Sequence, residues 1–273
     1  MNFQKLIDYV FGGVFMSKRL LALTTLAMFS LSVLLFGCGQ SKQITKASTE
    51  TVIKVGSETT FAPFEFQDEQ TKEYVGFDID LMQAIGSKMG VKVEIASMGF
   101  DGLIPALNAG NIDAAISGMT ITEERKQKVA FSDPYYQSGL SMVVKLDNDS
   151  IHSFKDLEGK RIAVQIGTTG AEAAKKVPNA TVREYNNAPE AFMELKAGGV
   201  DVVINDKPVN DYYLAQDAAK EAKAVTETLT SEDYGIAFDK NNTELVAKVN
   251  EALAELKANG EYDKIYQKWF GQK

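Results

Sequence analysis

The chain has one cysteine and one histidine in 273 residues. The lone cysteine, Cys38, excludes an internal disulfide, so a folded core must hold by packing alone. The lone histidine, His152, stands in the polar stretch DNDSIHSF and reads as a surface residue. No metal-ligand spacing, nucleophile elbow or phosphate loop occurs; GTTG at 167–170 is too short to be a nucleotide motif. The sequence therefore offers no ground for a metal, a cofactor or a covalent catalyst. Basic residues form no cluster, and 29 Lys and Arg against 37 Asp and Glu leave a formal charge of −8. An acidic chain without a basic patch argues against nucleic acid as a partner.

The long apolar run lies near the start. From Met16, a better start than Met1, the basic stub Ser17-Lys18-Arg19 precedes an almost wholly apolar Leu20 to Phe36, and Gly37-Cys38-Gly39 closes it. That order is a secretory leader. An uncleaved anchor is the competing reading, although the run is at the short end of the roughly 17 to 25 residues that spanning needs. LFGC at 35–38 resembles the bacterial lipobox, in which the cysteine is lipidated and becomes the first mature residue; Phe36 is bulkier than the residue usual there. Residues 1–37 thus read as a signal peptide. Removing them leaves 236 residues and, because Lys5, Lys18 and Arg19 depart with Asp8, lowers the charge from −8 to −10. Residues 38–51, polar and Ser/Thr-rich, read as a tether reaching about 40 Å at ~3.3 Å per residue.

What the mature chain does have is one phrase written twice. ALNAGNIDAAISG at 106–118 reappears 88 residues later as ELKAGGVDVVIND at 194–206. Leu107/Leu195, Ala109/Ala197, Gly110/Gly198, Asp113/Asp201 and Ile116/Ile204 coincide. Each copy reads as a helix, a left-handed glycine cap and a buried parallel strand. Two copies of one α/β unit predict two similar Rossmann-like lobes, each an ordinary domain in size. Strands are expected at 52–56, 91–95, 141–144, 161–164, 181–185, 202–204 and 234–238. Helices are expected at 78–88, 101–109, 169–176, from 190, at 244–259 and around 262–269. The last two, with no strand after them, should pack on the first lobe. The chain then crosses between lobes near 138–141 and 231–235, a two-strand hinge. Lobe 1 is 52–138 plus 235–273, and lobe 2 is 139–234.

Ligands of open α/β sheets sit outside the carboxyl ends of the strands. The two repeated strands end in GMTITEERK and DKP, which bring a cation and a carboxylate to such a place. Arg125, in EERKQK, reads alone as a solvated charge; after the strand end at Ser117-Gly118 its guanidinium fork suits a carboxylate. Thr120 and Thr169 add hydroxyls and N–H groups, and Gly167-Thr168-Thr169 opens a helix whose amino end attracts anions. The same threonines could simply cap. Asp206 could receive an ammonium or cap the helix after Pro208. Phe61 and Phe100 follow strand ends and could sandwich a side chain or fill the core, where Phe64 belongs. Glu58 follows the first strand, at the cleft or in a solvated turn.

SETTFAPFEF, VGFDIDL, ALNAGNIDAAISGMTITEERK, FSDPYYQSG, IGTTG and YDKIYQKWFG together resemble family 3 extracellular solute-binding proteins, the polar amino-acid receptors of ABC importers. The likeness runs from about Val52 to Gly271, with the motifs in the family's order. It implies the type II periplasmic binding protein fold and a lipid-anchored monomer that faces the periplasm or the cell exterior and hands an amino acid to a permease. By this resemblance, Arg125 and the backbones of Thr120 and Thr169 hold the ligand α-carboxylate. The Gly118 carbonyl, the Thr120 hydroxyl and Asp206 hold the α-ammonium. Phe61 and Phe100 stack on the side chain, and Glu58 touches its polar end. The likeness is nearest to glutamine-binding and arginine/lysine-binding members. Glutamine binders often carry lysine in place of Gln165 and histidine in place of Asn205, and aspartate is commoner in place of Glu58. The sequence ranks glutamine first and arginine or lysine second. A few relatives of this fold are dehydratases of prephenate-like acids, which keeps an enzymatic alternative, with Glu58 and Asp206 as acid and base.

Overall fold

In a computed structural model, residues 51–216 and 218–272 are described; the leader, Cys38 and the tether up to residue 50 lie outside them. Two five-stranded sheets share one plan. The first runs in the order Lys92–Ser97, Val52–Ser57, Ala114–Ala115, Ala237–Asp239, Val129–Phe131. The second runs Thr181–Tyr185, Arg161–Gln165, Val202–Asp206, Leu140–Lys145, Ala222–Ala224. In each, three strands are parallel and the fourth opposes both its neighbours. Parallel neighbours require crossovers. Helices Phe77–Met89 and Leu103–Asn108 supply them in the first lobe, Thr169–Ala174 and Ala188–Ala197 in the second. Covered on both faces, the central strands carry apolar residues in their middles: Val55, Ala114, Ala163, Val164 and Val202 are fully buried.

The repeated phrase performs the same hydrogen bonding twice. Gly110 and Gly198, both at positive φ, donate to Leu107 and Leu195 at 3.0 Å. One residue on, Asn111 and Gly199 reach Ala106 and Glu194 at 2.9 and 3.0 Å. The paired aspartates then fix register. Asp113 Oδ2 accepts the Lys54 N–H and Asp201 Oδ2 the Arg161 N–H, both at 2.8 Å. Their own N–H groups return bonds to the Lys54 and Arg161 carbonyls at 2.8 Å.

Tyr136–Ser138 and Glu232–Tyr234 form an antiparallel ribbon where the chain passes between lobes. On each passage the chain becomes the opposing fourth strand of the sheet it has just reached, Leu140–Lys145 in one and Ala237–Asp239 in the other. Helices Thr243–Ala258 and Glu261–Phe270 return to the first lobe. Trp269 donates to Asp80 at 2.7 Å, Lys88 meets Glu261 at 2.8 Å, and the Tyr262 ring stands edge-on to Phe77 at 5.8 Å.

Three local expectations change. A small antiparallel sheet, Thr60–Phe61, Glu65–Gln67 and Tyr74–Val75, occupies a stretch where no element was expected; strands of two or three residues carry too little alternation to recognise. The helix expected at 101–109 starts as a 3-10 turn, Phe100–Gly102, and becomes α-helical at Leu103. The strand expected at 234–238 breaks at Gly235, because residues 232–234 pair with the crossing ribbon and 237–239 with the sheet. A Cβ at Gly235 would lie 2.8 Å from the Ile121 side chain, so any larger residue at the break would have to displace Ile121.

Candidate functional site: a cleft between the lobes

Strands of both sheets point their carboxyl ends at one cleft, and the site residues hang from those ends. Glu58 follows Val52–Ser57, Gly118 follows Ala114–Ala115, Gln165 closes Arg161–Gln165, and Asp206 closes Val202–Asp206. The nine residues expected to hold the ligand line one narrow cavity of about 10 Å³: Glu58, Phe61, Phe100, Gly118, Thr120 and Arg125 from one lobe, Gln165, Thr169 and Asp206 from the other. Ser117 and Thr168 complete the wall.

Arg125 is buried, not solvated. Thr122 caps its helix by accepting the Arg125 N–H at 3.2 Å, which turns the side chain inward. Its guanidinium donates to the Thr120 carbonyl at 2.8 Å and across the cleft to the Gly167 carbonyl at 2.9 Å. Its Cζ lies 5.2 Å from the centroid of the Phe100 ring, so one face of Phe100 serves the arginine. Burial lowers its pKa, yet a guanidinium keeps its charge in proteins.

Asp206 does not cap its helix. Its carboxylate accepts the Tyr234 hydroxyl at 2.6 Å and sits 3.4 Å from the Ser138 hydroxyl, both on the crossing ribbon. Burial pushes its pKa up to about 7, against the Tyr234 bond that favours the anion. Glu58 is also buried, at 5 % exposed, and its pKa is raised chiefly by that burial. Its Oε1 accepts the Thr60 hydroxyl at 2.6 Å, while Oε2 has no hydrogen-bond partner among the described residues. The Gln165 amide helps to hold the Glu58 charge, but its Nε2 bonds to the Asn186 carbonyl at 3.1 Å. The Phe61 ring stacks on Phe64 with one face, centroids 6.1 Å apart. Gly118, at φ 52°, approaches that ring so closely that a Cβ would lie 3.0 Å from it and 3.3 Å from Tyr234.

The sequence reading missed the ribbon's contribution. Glu232, nearly buried, accepts three threonine hydroxyls: Thr120 from one lobe at 2.7 Å, Thr169 from the other at 2.9 Å, and Thr230 at 2.9 Å. Glu232 and Tyr234 sit in a three-residue strand with no motif of their own, so no periodicity singles them out. Among the described residues, the cavity lining thus carries the carboxyl groups of Glu58 and Asp206 and one cation, Arg125, with Glu232 bonded to the lining threonines Thr120 and Thr169.

The pattern that defines the bacterial extracellular solute-binding proteins, family 3, matches residues 53–272, and the chain belongs to that family. The chain is 37% identical over 232 residues to ABC transporter arginine-binding protein 1 of Escherichia coli K12, covering 83% of this chain and 93% of that one. An ancestral arginine-binding protein bound to arginine superposes with TM-score 0.79 at 52% identity, covering 81% of this chain and 99% of that one. An ancestral arginine-binding protein bound to glutamine gives TM-score 0.76 at 51% identity, over 82% and 99% of the two chains.

Proposed function

We propose that the chain is the substrate-binding receptor of an ABC importer, exported and tethered by a lipid on Cys38, which captures an L-amino acid between lobes 52–138 plus 235–273 and 139–234 and delivers it to a permease. Arg125 and the N–H groups of Thr120 and Thr169 take the α-carboxylate. Asp206, the Gly118 carbonyl and the Thr120 hydroxyl take the α-ammonium. Because the Thr120 proton is committed to Glu232, its oxygen is left to accept from the ammonium. The side chain lies along Phe61 and the free part of Phe100, with its tip at Glu58 and Gln165. Catalysis is disfavoured, since the Asp206 carboxylate is engaged by Tyr234 and the arginine-binding relative is named as a binding protein.

The reading of the ligand side chain rests on Glu58 Oε2, a buried carboxyl oxygen without a hydrogen-bond partner among the described residues. A buried acceptor left unpaired costs about 1–3 kcal/mol, more when charged, and a ligand with donors at its tip removes that cost. A guanidinium does so and adds its charge to a cleft short of cations. Arginine therefore ranks first, then lysine, which reverses the order taken from the sequence. Glutamine remains the second reading, supported by the glutamine-bound ancestral protein. Calorimetry with arginine, lysine, glutamine, histidine and glutamate tests the assignment. Arginine should bind at least tenfold more tightly than glutamine, and Glu58→Gln should narrow that gap. Preferential binding of glutamate would overturn the role of Glu58.

A further inference from the structure

Beneath the cleft, on the side away from the ligand space, lie two carboxyl groups that the binding site does not use. Glu65 and Asp78 are both fully buried. Glu65 comes from the small sheet and Asp78 from the first turn of helix Phe77–Met89. No lysine, arginine or histidine pairs with either among the described residues. Each has one oxygen in use. Glu65 Oε1 accepts the Ser117 hydroxyl at 2.8 Å. Asp78 Oδ2 accepts the Gly118 N–H at 2.9 Å and the Tyr135 hydroxyl at 2.7 Å. The remaining oxygens, Glu65 Oε2 and Asp78 Oδ1, are buried and have no hydrogen-bond partner among the described residues, and each carboxyl bears directly on the ionisation of the other.

Two buried anions facing one another without a cation are not tenable; like charges at contact cannot both ionise. We propose that Glu65 and Asp78 share one proton, Glu65 as the acid and Asp78 as the anion, and that this pair is the positioning base of the binding site. The direction follows from the donors. Asp78 has two besides Glu65 and lies at the positive end of a helix, whereas Glu65 has only the Ser117 hydroxyl. Burial accordingly raises both groups. The other titratable groups facing the pair are Glu58, which disfavours ionisation of Glu65, Tyr135 and Tyr262, with Tyr234 beyond Tyr135.

The result is a continuous chain of hydrogen bonds. The Glu58 N–H donates to Ser117 Oγ at 2.9 Å; Ser117 donates to Glu65, Glu65 to Asp78, and Asp78 holds the Gly118 N–H. It begins and ends on residues that line the cleft. The shared proton thereby ties the segment at Glu58 to the strand end at Ser117-Gly118.

The pair is testable without any ligand, so its failure is separable from failure of the receptor assignment. The folded chain takes up a proton that the unfolded chain releases above the ordinary glutamate range. Stability should therefore fall as pH rises from mildly acidic to alkaline. Urea unfolding of the full chain, followed by the Trp269 fluorescence, should show that fall in the wild type and a much smaller one in Glu65→Gln. The glutamine amide supplies an N–H in place of the proton at every pH. Glu65→Gln should also keep the Gly118 amide protected from hydrogen exchange, and Glu65→Ala should lose that protection at least tenfold. Should either variant fail to fold, infrared spectroscopy of the wild type above neutral pH decides. A carbonyl stretch of a buried protonated carboxylic acid supports the pair, and its absence overturns it. An unchanged pH profile in Glu65→Gln likewise overturns it.

Discussion

Asp206 sits between two demands with opposite pH signatures. Its pKa is raised from 3.8 to about 7 in the unliganded fold. Its contribution to folding is thus full below the unfolded value and is lost as pH climbs towards about 7, because the folded state binds the proton more tightly. Ligand capture runs the other way, since only the ionised carboxylate attracts an ammonium. Affinity for arginine should rise as pH increases through about 7, and Asp206→Asn should flatten that rise, as calorimetry across the range will show. Arg125→Ala should weaken binding by over tenfold, removal of one partner of a buried charge pair costing about 2–5 kcal/mol. Part of the loss will come from the Gly167 carbonyl, which the guanidinium holds across the cleft.

The elements show why part of the site was legible and part was not. Arg125, Thr120 and Asp206 could be found because the repeated phrase marks two equivalent strand ends, and strand ends are where a doubly wound sheet presents side chains. The Asp113/Asp201 coincidence was visible as identity; its cause, a reciprocal backbone lock, needed coordinates. Asp113→Ala and Asp201→Ala should each cost about 0.5–1.5 kcal/mol in urea unfolding, as a backbone N–H exchanges its acceptor for water. Asp201 should cost more, because it also engages the Arg161 guanidinium. Glu232 and Tyr234 were illegible for a physical reason. Their partners Thr120, Thr169 and Asp206 lie up to 112 residues away in sequence, and local pattern holds no trace of such contacts. Gly118 is intermediate. Its place was legible, its backbone was not: at φ 52° and against Phe61, Gly118→Ala should lower the urea midpoint and weaken ligand binding together.

At the scale of the whole molecule, Glu232 is where the two lobes and the ribbon meet. Glu232→Ala leaves three threonine hydroxyls without their acceptor, two of them from opposite lobes. The lobes should then separate more readily. Small-angle scattering of the unliganded variant should give a larger radius of gyration than the wild type, and saturating arginine should bring the two together. The outer end of the molecule has its own test. Cys38→Ala should release the protein from carbonate-washed membranes while leaving amino-acid binding intact, because the cleft is built wholly from residues 58 to 234.

The strand exchange between sheets has a consequence for how the protein comes into being. Export delivers the chain amino end first, and by residue 131 the first sheet has four of its five strands in hand. The missing one, Ala237–Asp239, belongs between Ala114–Ala115 and Val129–Phe131, inside the edge strand and not at the margin. Until it arrives, Val129–Phe131 has no neighbour to join and the sheet stops at Ala114–Ala115. The second sheet has no such debt, since Leu140–Lys145 through Ala222–Ala224 emerge in one stretch. The later-emerging lobe is therefore the first able to complete itself, and the lobe that leads the way out of the cell is the last to close.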